Sequence, residues 1–189
     1  MGVMAKVLPF LPLVLLLILA VGQDLHAHKI RNWLTLTILL SGLAFSFMPH
    51  QYCPTTVTES LLGIVIGFAL PFVMFAIGAM GGGDVKLMAG VGAWLGPWPI
   101  VTVFILSAII GAILGILTSL LQRRLVVVLR NTWVITLSLL NIRRLGVEHV
   151  REVGQACGGT KKGLPYAVPI FIGTLLTLLT PATKMLLGR

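Results

Sequence analysis

The sequence predicts an all-α, polytopic membrane protein with six transmembrane helices and one interfacial helix on the cytoplasmic surface. Of its 189 residues, 57% are hydrophobic and only 10% are charged, whereas a soluble globular domain carries about 25% charged residues. The mean hydropathy is +1.03. A chain this apolar cannot cover a core with polar surface, which excludes a soluble enzyme, a disordered chain and a nucleic-acid-binding domain. The two cysteines, Cys53 and Cys157, lie far apart without a CxxC pattern, so they form neither a zinc site nor a disulfide framework.

Six apolar runs approach the length of about 20 residues that a spanning helix needs. In chain order they are residues 7–22, 33–48, 57–80, 85–98, 100–121 and 165–187. The fourth run is short and follows the third after three consecutive glycines. Neither an internal repeat nor a low-complexity linker divides the chain, so we interpret residues 1–189 as a single membrane-embedded domain.

The first run also has the features of a signal peptide. Lys6 precedes the apolar residues 13–20, and the small residues at 20–22 resemble a cleavage site. Cleavage after Gly22 would leave Asp24 near a new terminus on the outer face. The distribution of positive charge favours a retained span instead.

Basic residues set the orientation, because they are enriched in cytoplasmic loops. With six spans and the N-terminus outside, only Lys6, Lys184 and Arg189 are external. The eleven internal ones are Lys29, Arg31, Lys86, Arg123, Arg124, Arg130, Arg143, Arg144, Arg151, Lys161 and Lys162.

Residues 125–140 are apolar enough to be a seventh span. That reading would move five basic residues of the following segment outside and would place Arg130 within the bilayer, which is costly. We therefore interpret residues 125–145 as an interfacial helix on the cytoplasmic surface.

Small and aromatic residues indicate how the helices pack. Gly63 and Gly67, Gly92 and Gly96, and Gly111 and Gly115 are each four residues apart, a spacing that lets helix backbones approach closely. Tryptophans near predicted helix ends are expected as anchors at the membrane interface; they are Trp33, Trp94 and Trp98.

Only five residues are acidic, and two of them differ in placement from the rest. Glu148 and Glu152 are four apart in a polar stretch, as expected of a solvated helical face, and Glu59 lies at an outer helix end. Asp24 directly follows the first span, and Asp84 lies between the third and fourth. In the predicted orientation both aspartates lie at the cytoplasmic boundary, where a carboxylate is costly and is by default a functional candidate.

Two carboxyl groups at one depth can share a proton, because close like charges do not both ionise easily. The ionised carboxyl can activate water while the neutral one protonates a carbonyl oxygen, which is the chemistry of aspartic proteases. Such a pair titrates as a unit, so neither residue is assigned as the base. The alternative is that Asp24 and Asp84 only cap helices, a common role for aspartate.

Three glycines precede the second aspartate. Gly81-Gly82-Gly83 gives the backbone freedom and leaves the main chain uncovered beside Asp84. This suits the approach of an extended peptide, and it equally suits a tight turn between two helices. If a peptide binds there, Gly83 is expected to tolerate a side chain less well than Gly82.

The residues around the aspartates resemble those of a known family. Gly81-Gly82-Gly83-Asp84 is a GxGD motif that continues as Val85-Lys86-Leu87-Met88, and residues 78–87 resemble the second active-site region of type IV prepilin leader peptidases. Residues 24–34 resemble the first region of that family, an aspartate followed by a turn into a helix. Leu164-Pro165-Tyr166, which opens the last span, is also typical of these peptidases.

Two departures from the family pattern refine the resemblance. Arg31 stands where the family usually has proline, which is expected to loosen the turn while sparing Asp24 and Asn32. The chain has no CxxC motif and a short connection between its first two spans, so it resembles the short, peptidase-only members associated with Flp-type, tight-adherence pili, which lack the methyltransferase insertion. Archaeal preflagellin peptidases share the two aspartates and are a close alternative.

The resemblance implies a membrane aspartic endopeptidase of the cytoplasmic (inner) membrane. Its substrate would be a prepilin whose short basic leader is cleaved after a glycine at the cytoplasmic face, and its other implied partners are the lipid bilayer and the pilus assembly machinery. It implies neither a metal nor an organic cofactor. The implied catalytic residues are Asp24 and Asp84, and the substrate-binding or motif residues are Gly81, Gly83, Lys86 and Asn32.

Several readings of individual residues stay open. Asp24, His26 and His28 form a D-x-H-x-H pattern that suits a metal, but no further Cys/His cluster supports it. Lys86 either influences the aspartates or extends to lipid headgroups.

An alternative from another functional class is a small transporter or channel subunit, since helices broken at Pro71, Gly81–Gly83 and Pro97 suit a transport site. A third is a non-catalytic assembly protein that has kept the fold.

Overall fold

The computed structural model describes residues 8–27, 30–49, 55–76, 80–121 and 165–180, and a few positions between 130 and 153 (130–131, 133–134, 137–138, 141, 146 and 152–153). The predicted interfacial helix, residues 125–145, lies largely outside this part of the chain, and so do Cys53, Cys157 and His28.

The regular elements of the described residues are all helices, which confirms the predicted all-α class for this part of the chain. A 3-10 turn, Leu8–Phe10, leads into the first helix. The helices are α1 (Leu11–Ala27), α2 (Asn32–Phe45), α3 (Val57–Ala76), α4 (Gly82–Leu95), α5 (Pro97–Leu121) and α6 (Ala167–Leu179).

Three of these helices are long and apolar enough to cross a membrane, and they comprise Leu8–Ala27, Val57–Ala76 and Pro97–Leu121. The apolar helices α2 and α6 are shorter, with 14 and 13 residues. The 14 residues of α4 make it about 21 Å long. Each of the six predicted spans therefore contains a helix, while the number that cross the bilayer stays a prediction.

The first helix is longer than the predicted span, because it continues past residue 22 to Ala27. The sequence placed Asp24 after the end of the first span. In the structure Asp24 lies within the last two turns of the helix. Leu13, Leu17 and Ala20 of this helix are buried in the central core. This favours the retained span over the signal-peptide alternative, since removal of the segment would empty part of that core.

The fourth helix lies at the centre of the bundle. It packs chiefly against α3 and α2, with further contacts to α5 and α6. All its residues from Val85 to Leu95 are buried except Lys86. Gly63 of α3 approaches Gly92 of α4, and Gly67 approaches Met88, so closely that a side chain on either α3 glycine would collide with the α4 backbone. The small-residue spacing thus corresponds to a real helix crossing.

Trp94 departs from the role predicted for it. Its side chain is buried in the core, where the indole stacks on Phe45 with ring centroids 4.7 Å apart and Nε1 donates a hydrogen bond of 3.0 Å to the Ile38 carbonyl oxygen. The indole N–H thus finds a partner on α2 and not at the membrane surface.

The end of the bundle opposite the aspartates is held by polar contacts. Glu59 accepts a hydrogen bond of 2.8 Å from the Thr56 backbone N–H, and the Thr56 hydroxyl accepts one of 3.3 Å from the Glu59 N–H, which is a capping box at the start of α3. The Ser60 hydroxyl donates to the Ala93 carbonyl oxygen at 2.7 Å. Gly96, with φ of 81°, then joins α4 directly to α5.

Candidate active site

The two candidate aspartates lie at the same end of the bundle, which we call the dyad end. Here α1 and α3 end and α2, α4 and α6 begin. Asp24 comes from the last turns of α1, and Asp84 comes from the first turn of α4. The fold therefore brings together two residues that are sixty positions apart in the chain.

Asp24 is only 6% exposed, and a carboxylate is seldom buried without a partner. Its Oδ2 atom accepts a hydrogen bond of 3.0 Å from the backbone N–H of Ala167, a residue 143 positions away. Ala167 is the first residue of α6, and the first N–H groups of a helix have no partner within it. Asp24 thus caps a helix that is remote in sequence. This capping contact is compatible with the functional interpretation of Asp24, because it leaves the carboxyl group beside Asp84.

Asp84 also has a capping contact, but with its own helix. It lies in the first turn of α4, where its carboxyl group accepts a hydrogen bond from the Gly81 backbone. A carboxylate three residues into a helix commonly reaches back in this way to the N-cap residue. The capping expectation for Asp84 therefore holds, and the same geometry leaves it beside Asp24.

The surroundings of Asp84, which precedes the predicted span 85–98, favour its neutral form. Burial, and then the negative charge of Asp24, raise the pKa of Asp84 from 3.8 to about 7, against the opposing effect of the hydrogen bond from Gly81. Asp24 is close enough to repel the ionised form of Asp84 directly. Around neutral pH, the pair can therefore hold one carboxylate and one carboxylic acid.

The three glycines lie against the dyad without unusual backbone angles. Gly81 is the N-cap of α4, with φ of −77°. A Cβ on Gly81 would lie 3.0 Å from Asp84 Oδ2, whereas one on Gly82 would lie 3.4 Å from Phe75 and one on Gly83 3.5 Å from Ile30. Among the three, a Cβ would therefore be tight only at Gly81, which is nearest the carboxyl group, and none of them has a left-handed conformation.

The start of α2 is linked to the start of α4 on the exposed side of the dyad. Lys86 Nζ donates a hydrogen bond of 3.0 Å to Asn32 Oδ1, which joins two of the motif residues. Arg31, at the family's proline position, has φ of −68°, a value that proline also adopts. Its backbone N–H donates to Gln23 Oε1 at 3.3 Å. The turn keeps the proline-like angle and gains a hydrogen bond that proline could not make.

Tyr166 is the site residue that the sequence did not assign to the dyad. It is the N-cap of α6, and its phenol lies within electrostatic range of Asp84. Its ring packs on Gly111 of α5, and its hydroxyl donates a long hydrogen bond of 3.5 Å to the Ser107 carbonyl oxygen. The Pro-Tyr signal at the start of the last span marked this position, but nothing in the sequence placed it beside the aspartates.

Two neighbouring helices extend beyond the dyad. Gly63 is opposite Gly92, and Gly67 is opposite Met88. Continued by one turn, this antiparallel register puts Asp84 level with Pro71. The third helix ends at Ala76, about 8 Å beyond that level. The fifth helix continues ten residues past Gly111, about 15 Å further. The carboxyl groups therefore lie in a recess between helix ends.

The remaining candidate ligands do not gather at the dyad. His26 is exposed at the end of α1. Among the residues that the structure describes, there is no group of three or more His, Cys, Asp or Glu side chains that could hold a metal ion. His28, the third member of the D-x-H-x-H pattern, lies outside the described residues.

A comparison with known protein families matches the part of the chain that contains the two aspartates. The model of the type IV leader peptidase family matches residues 11–116. This match contains both aspartates and the three glycines, and it ends before Tyr166 and Ala167.

The individual relatives cover between 41% and 65% of the sequence. The chain is 33% identical over 129 residues to a prepilin leader peptidase/N-methyltransferase of Bacillus subtilis, a match that covers 65% of this chain and 50% of that protein. It is 33% identical over 101 residues to a protein of the same name in Xanthomonas campestris, covering 50% of this chain and 34% of that one. A preflagellin peptidase of Methanocaldococcus jannaschii is 35% identical to the chain over 81 residues, a match that covers 41% of this chain and 33% of that protein. The chain thus matches between a third and a half of the length of these relatives.

No solved structure matches the chain. The family assignment therefore comes from sequence, and the geometry of the dyad is consistent with it. With more than half of its residues matched by the family model, the chain belongs to the type IV leader peptidase family.

Proposed function

We propose that this protein is a membrane aspartic endopeptidase that removes the short basic leader from type IV, Flp-like prepilins by cleavage after a glycine. Asp24 and Asp84 are the catalytic residues in this proposal. The observation that carries it is their juxtaposition in a recess, where Asp24 accepts a hydrogen bond from a helix N-terminus and burial raises the pKa of Asp84 to about 7.

The chemistry follows from that difference between the two carboxyl groups. The ionised carboxyl takes a proton from a water molecule, whose oxygen attacks the scissile carbonyl carbon. The neutral carboxyl gives its proton to the carbonyl oxygen, forming a tetrahedral diol. As the diol collapses and its C–N bond breaks, the newly protonated carboxyl gives its proton to the leaving nitrogen, and the newly ionised carboxyl takes a proton from a diol hydroxyl. The pair then again holds one proton.

An extended substrate has access beside the glycines. Gly81 is exposed and Gly82 and Gly83 are half-buried, so a peptide backbone can approach Asp84 without meeting a side chain from this turn. Lys86 and Asn32, bonded to each other next to the dyad, form the exposed border of that approach. In this proposal they position the substrate or the turn, and they take no part in proton transfer.

The dyad end is proposed to face the cytoplasm, with the N-terminus outside. The described basic residues Arg31 and Lys86 lie at the dyad end, whereas Glu59 lies at the other. Cytoplasmic ends are enriched in basic residues, so this arrangement agrees with the orientation deduced from all fourteen basic residues. A basic leader that stays in the cytoplasm would then reach the aspartates directly.

Two alternative functions, a transporter and a preflagellin-type peptidase, differ in where they need charged groups and in their substrate. A transporter is expected to hold its charged groups near the bilayer midplane, whereas here both are gathered at one end of the helices. A preflagellin-type substrate is the nearer alternative, because a preflagellin peptidase is among the relatives. The choice of substrate separates these two peptidase functions, and the pair of aspartates is common to both.

The test is co-expression of the chain with candidate prepilins and preflagellins from the same genome, followed by mass spectrometry of the product N-terminus. We expect cleavage of a prepilin directly after a glycine, and an unmethylated product when this chain is the only family member present. Processing of preflagellin alone would favour the second peptidase function. Absence of processing with every substrate, from a correctly inserted protein, would contradict both.

Asp24→Asn and Asp84→Asn test the mechanism. Each is expected to abolish processing while the protein still inserts, because an amide neither gives up nor accepts the required proton. Glu59→Gln is the matched control, since it also changes a carboxyl to an amide, and a glutamine can keep the capping box. Near-normal cleavage by either aspartate variant would refute the shared-proton mechanism.

A further inference from the structure

The first turn of α6 contacts both halves of the dyad. The Ala167 N–H donates to Asp24 at 3.0 Å, and the adjacent Tyr166 lies within electrostatic range of Asp84. Both residues lie beyond residues 11–116, the segment that the family model matches. The turn thus lies outside the matched segment, although its Pro165-Tyr166 resembles the pattern of the family.

The contact with Ala167 distinguishes the two aspartates chemically. A backbone N–H that donates to a carboxyl group stabilises its ionised form, and the N-terminus of a helix carries a partial positive charge that acts in the same direction. Within the described part of the chain, the backbone donor to Asp84 is Gly81 of its own turn and not a residue of another helix. The arrangement is thus asymmetric even though the residues are chemically identical.

The side chain of Tyr166 packs the start of this turn against α5. Its Cε2 atom lies 2.9 Å from the position that a Cβ on Gly111 would occupy, so the ring rests directly on the α5 backbone. Its hydroxyl reaches the Ser107 carbonyl oxygen one turn away, at 3.5 Å. The ring thus packs on α5 immediately before the Ala167 N–H, and further along the same two helices Gly173 lies against the backbone of Val103 and Ser107.

We propose that Tyr166 is a positioning residue that, by packing on Gly111, places the Ala167 N–H so that Asp24 is the ionised member of the dyad and Asp84 carries the shared proton. Asp24 is then the base that activates water, and Asp84 is the acid. This inference rests on the proposed peptidase function and adds to it the roles of the two aspartates.

The described titratable groups on the helices that surround the pair are His26 on α1, Arg31 before α2 and Lys86 on α4, which are all exposed, and Tyr166 before α6. The described residues of α5 and α6 include no charged side chain. Among these described groups, the Ala167 N–H is the one that donates a hydrogen bond to Asp24.

A matched pair of glycine variants tests the inference without altering a residue of the dyad. In Gly111→Ala the new Cβ would press on the Tyr166 ring at 2.9 Å, whereas Gly115→Ala, one turn further along α5, meets nothing within 4 Å. The measurement is the pH dependence of kcat and KM for cleavage of a prepilin peptide by the purified protein. Gly111→Ala is expected to move the acidic limb of kcat toward neutral pH by about one unit, the usual scale of such shifts in proteins, with KM nearly unchanged.

Variants of the tyrosine complete the set. Tyr166→Ala removes the ring and is expected to shift the acidic limb of kcat as Gly111→Ala does. Tyr166→Phe keeps the ring, and this variant, like Gly115→Ala, is expected to retain the pH profile of the wild type. A lower kcat in Gly111→Ala with an unshifted limb would overturn the inference, because it would indicate a purely structural role. An equal shift in Tyr166→Phe and Tyr166→Ala would also overturn it, because the hydroxyl and not the ring would then be responsible.

A second readout separates this inference from the proposed function. Carbodiimide modifies protonated carboxyl groups, so its pH dependence at Asp24, read by mass spectrometry of the intact full-length protein, reports ionisation without any turnover. In Gly111→Ala, modification of Asp24 is expected to persist to higher pH than in Gly115→Ala. Identical curves overturn the role of Tyr166 whether or not the protein cleaves prepilin, whereas a shift without cleavage by the wild type supports that role and contradicts the peptidase function.

Discussion

Gly63 and Gly92 face each other where α3 crosses α4, and a Cβ on either residue would collide with the carbonyl oxygen of the other. The contact lies two turns along α4 from Asp84, on the helix that carries it. It fixes the height of Asp84 relative to α3.

Gly92→Ala is expected to destabilise the protein, because both partners in the crossing are backbone atoms that cannot rotate away. Overpacking of this kind costs about 1–3 kcal/mol, which would appear as a lower midpoint of thermal inactivation in detergent. Gly22→Ala is the control, since a Cβ there meets nothing within 4 Å. Equal midpoints for the two variants would show that the helices do not cross as closely as the structure indicates.

The activity is expected to fall as the pH rises through about 7. The pKa of Asp84 is raised from 3.8 to about 7 by burial and by Asp24, so its carboxyl group is neutral below that pH and loses the proton needed for catalysis above it. At low pH the rate should also fall once both carboxyl groups are protonated, giving a bell-shaped profile. Initial rates between pH 4 and 9 measure it, and a rate that stays constant from pH 6 to 9 would contradict the assignment of a neutral Asp84.

The glycines before Asp84 are expected to differ in their sensitivity. Gly81→Ala would place a Cβ 3.0 Å from Asp84 Oδ2, and displacement of a catalytic group by about 1 Å can cost about 100-fold in rate. Gly83→Val, with a branched side chain against Ile30 and the substrate path, should also lose most activity. Gly82→Ala, at ordinary contact distance from Phe75, should be the mildest of the three.

The measurement for these glycine variants is the processed fraction of prepilin at equal enzyme level, with membrane insertion checked separately. If Gly82→Ala is the worst variant, the GxGD interpretation of this turn is wrong, and the glycines serve only the packing of helices.

The loops beyond α5 are predicted to share the side of the membrane on which the dyad lies. Arg123 and Lys161 lie outside the described residues, but α5 ends and α6 begins at the dyad end. In a chain whose Cys53 and Cys157 are replaced, a cysteine introduced beside Lys161 should resist a membrane-impermeant reagent in intact cells. Thr58→Cys, at the opposite end of the bundle, should react. Labelling beside Lys161 would mean that residues 125–140 span the membrane and that the last segment is inverted.

The helices and the aspartates could be predicted from the sequence, because apolar runs and isolated charges within them are conspicuous. The contact of Ala167 with Asp24 could not be predicted, because Ala167 contributes a backbone N–H, a group that every residue except proline has. Trp94 was misassigned as an interface anchor because an aromatic residue near a helix end looks the same whether it faces lipid headgroups or, as here, the carbonyl oxygen of Ile38. Its orientation depends on the rotation of α4, which a helix with apolar residues on every side does not reveal.

The burial of α4 also bears on how the protein is made. A segment of about 21 Å that begins with Asp84 and Lys86 is a poor substrate for independent insertion into a bilayer. Its apolar residues are almost entirely covered by neighbouring helices, so lipid alone would not provide the contacts that stabilise it. During synthesis it would have to wait beside the translocon until α5 has emerged and can close the bundle around it. For the segment that carries Asp84, we therefore expect membrane insertion to depend on packing against its neighbours.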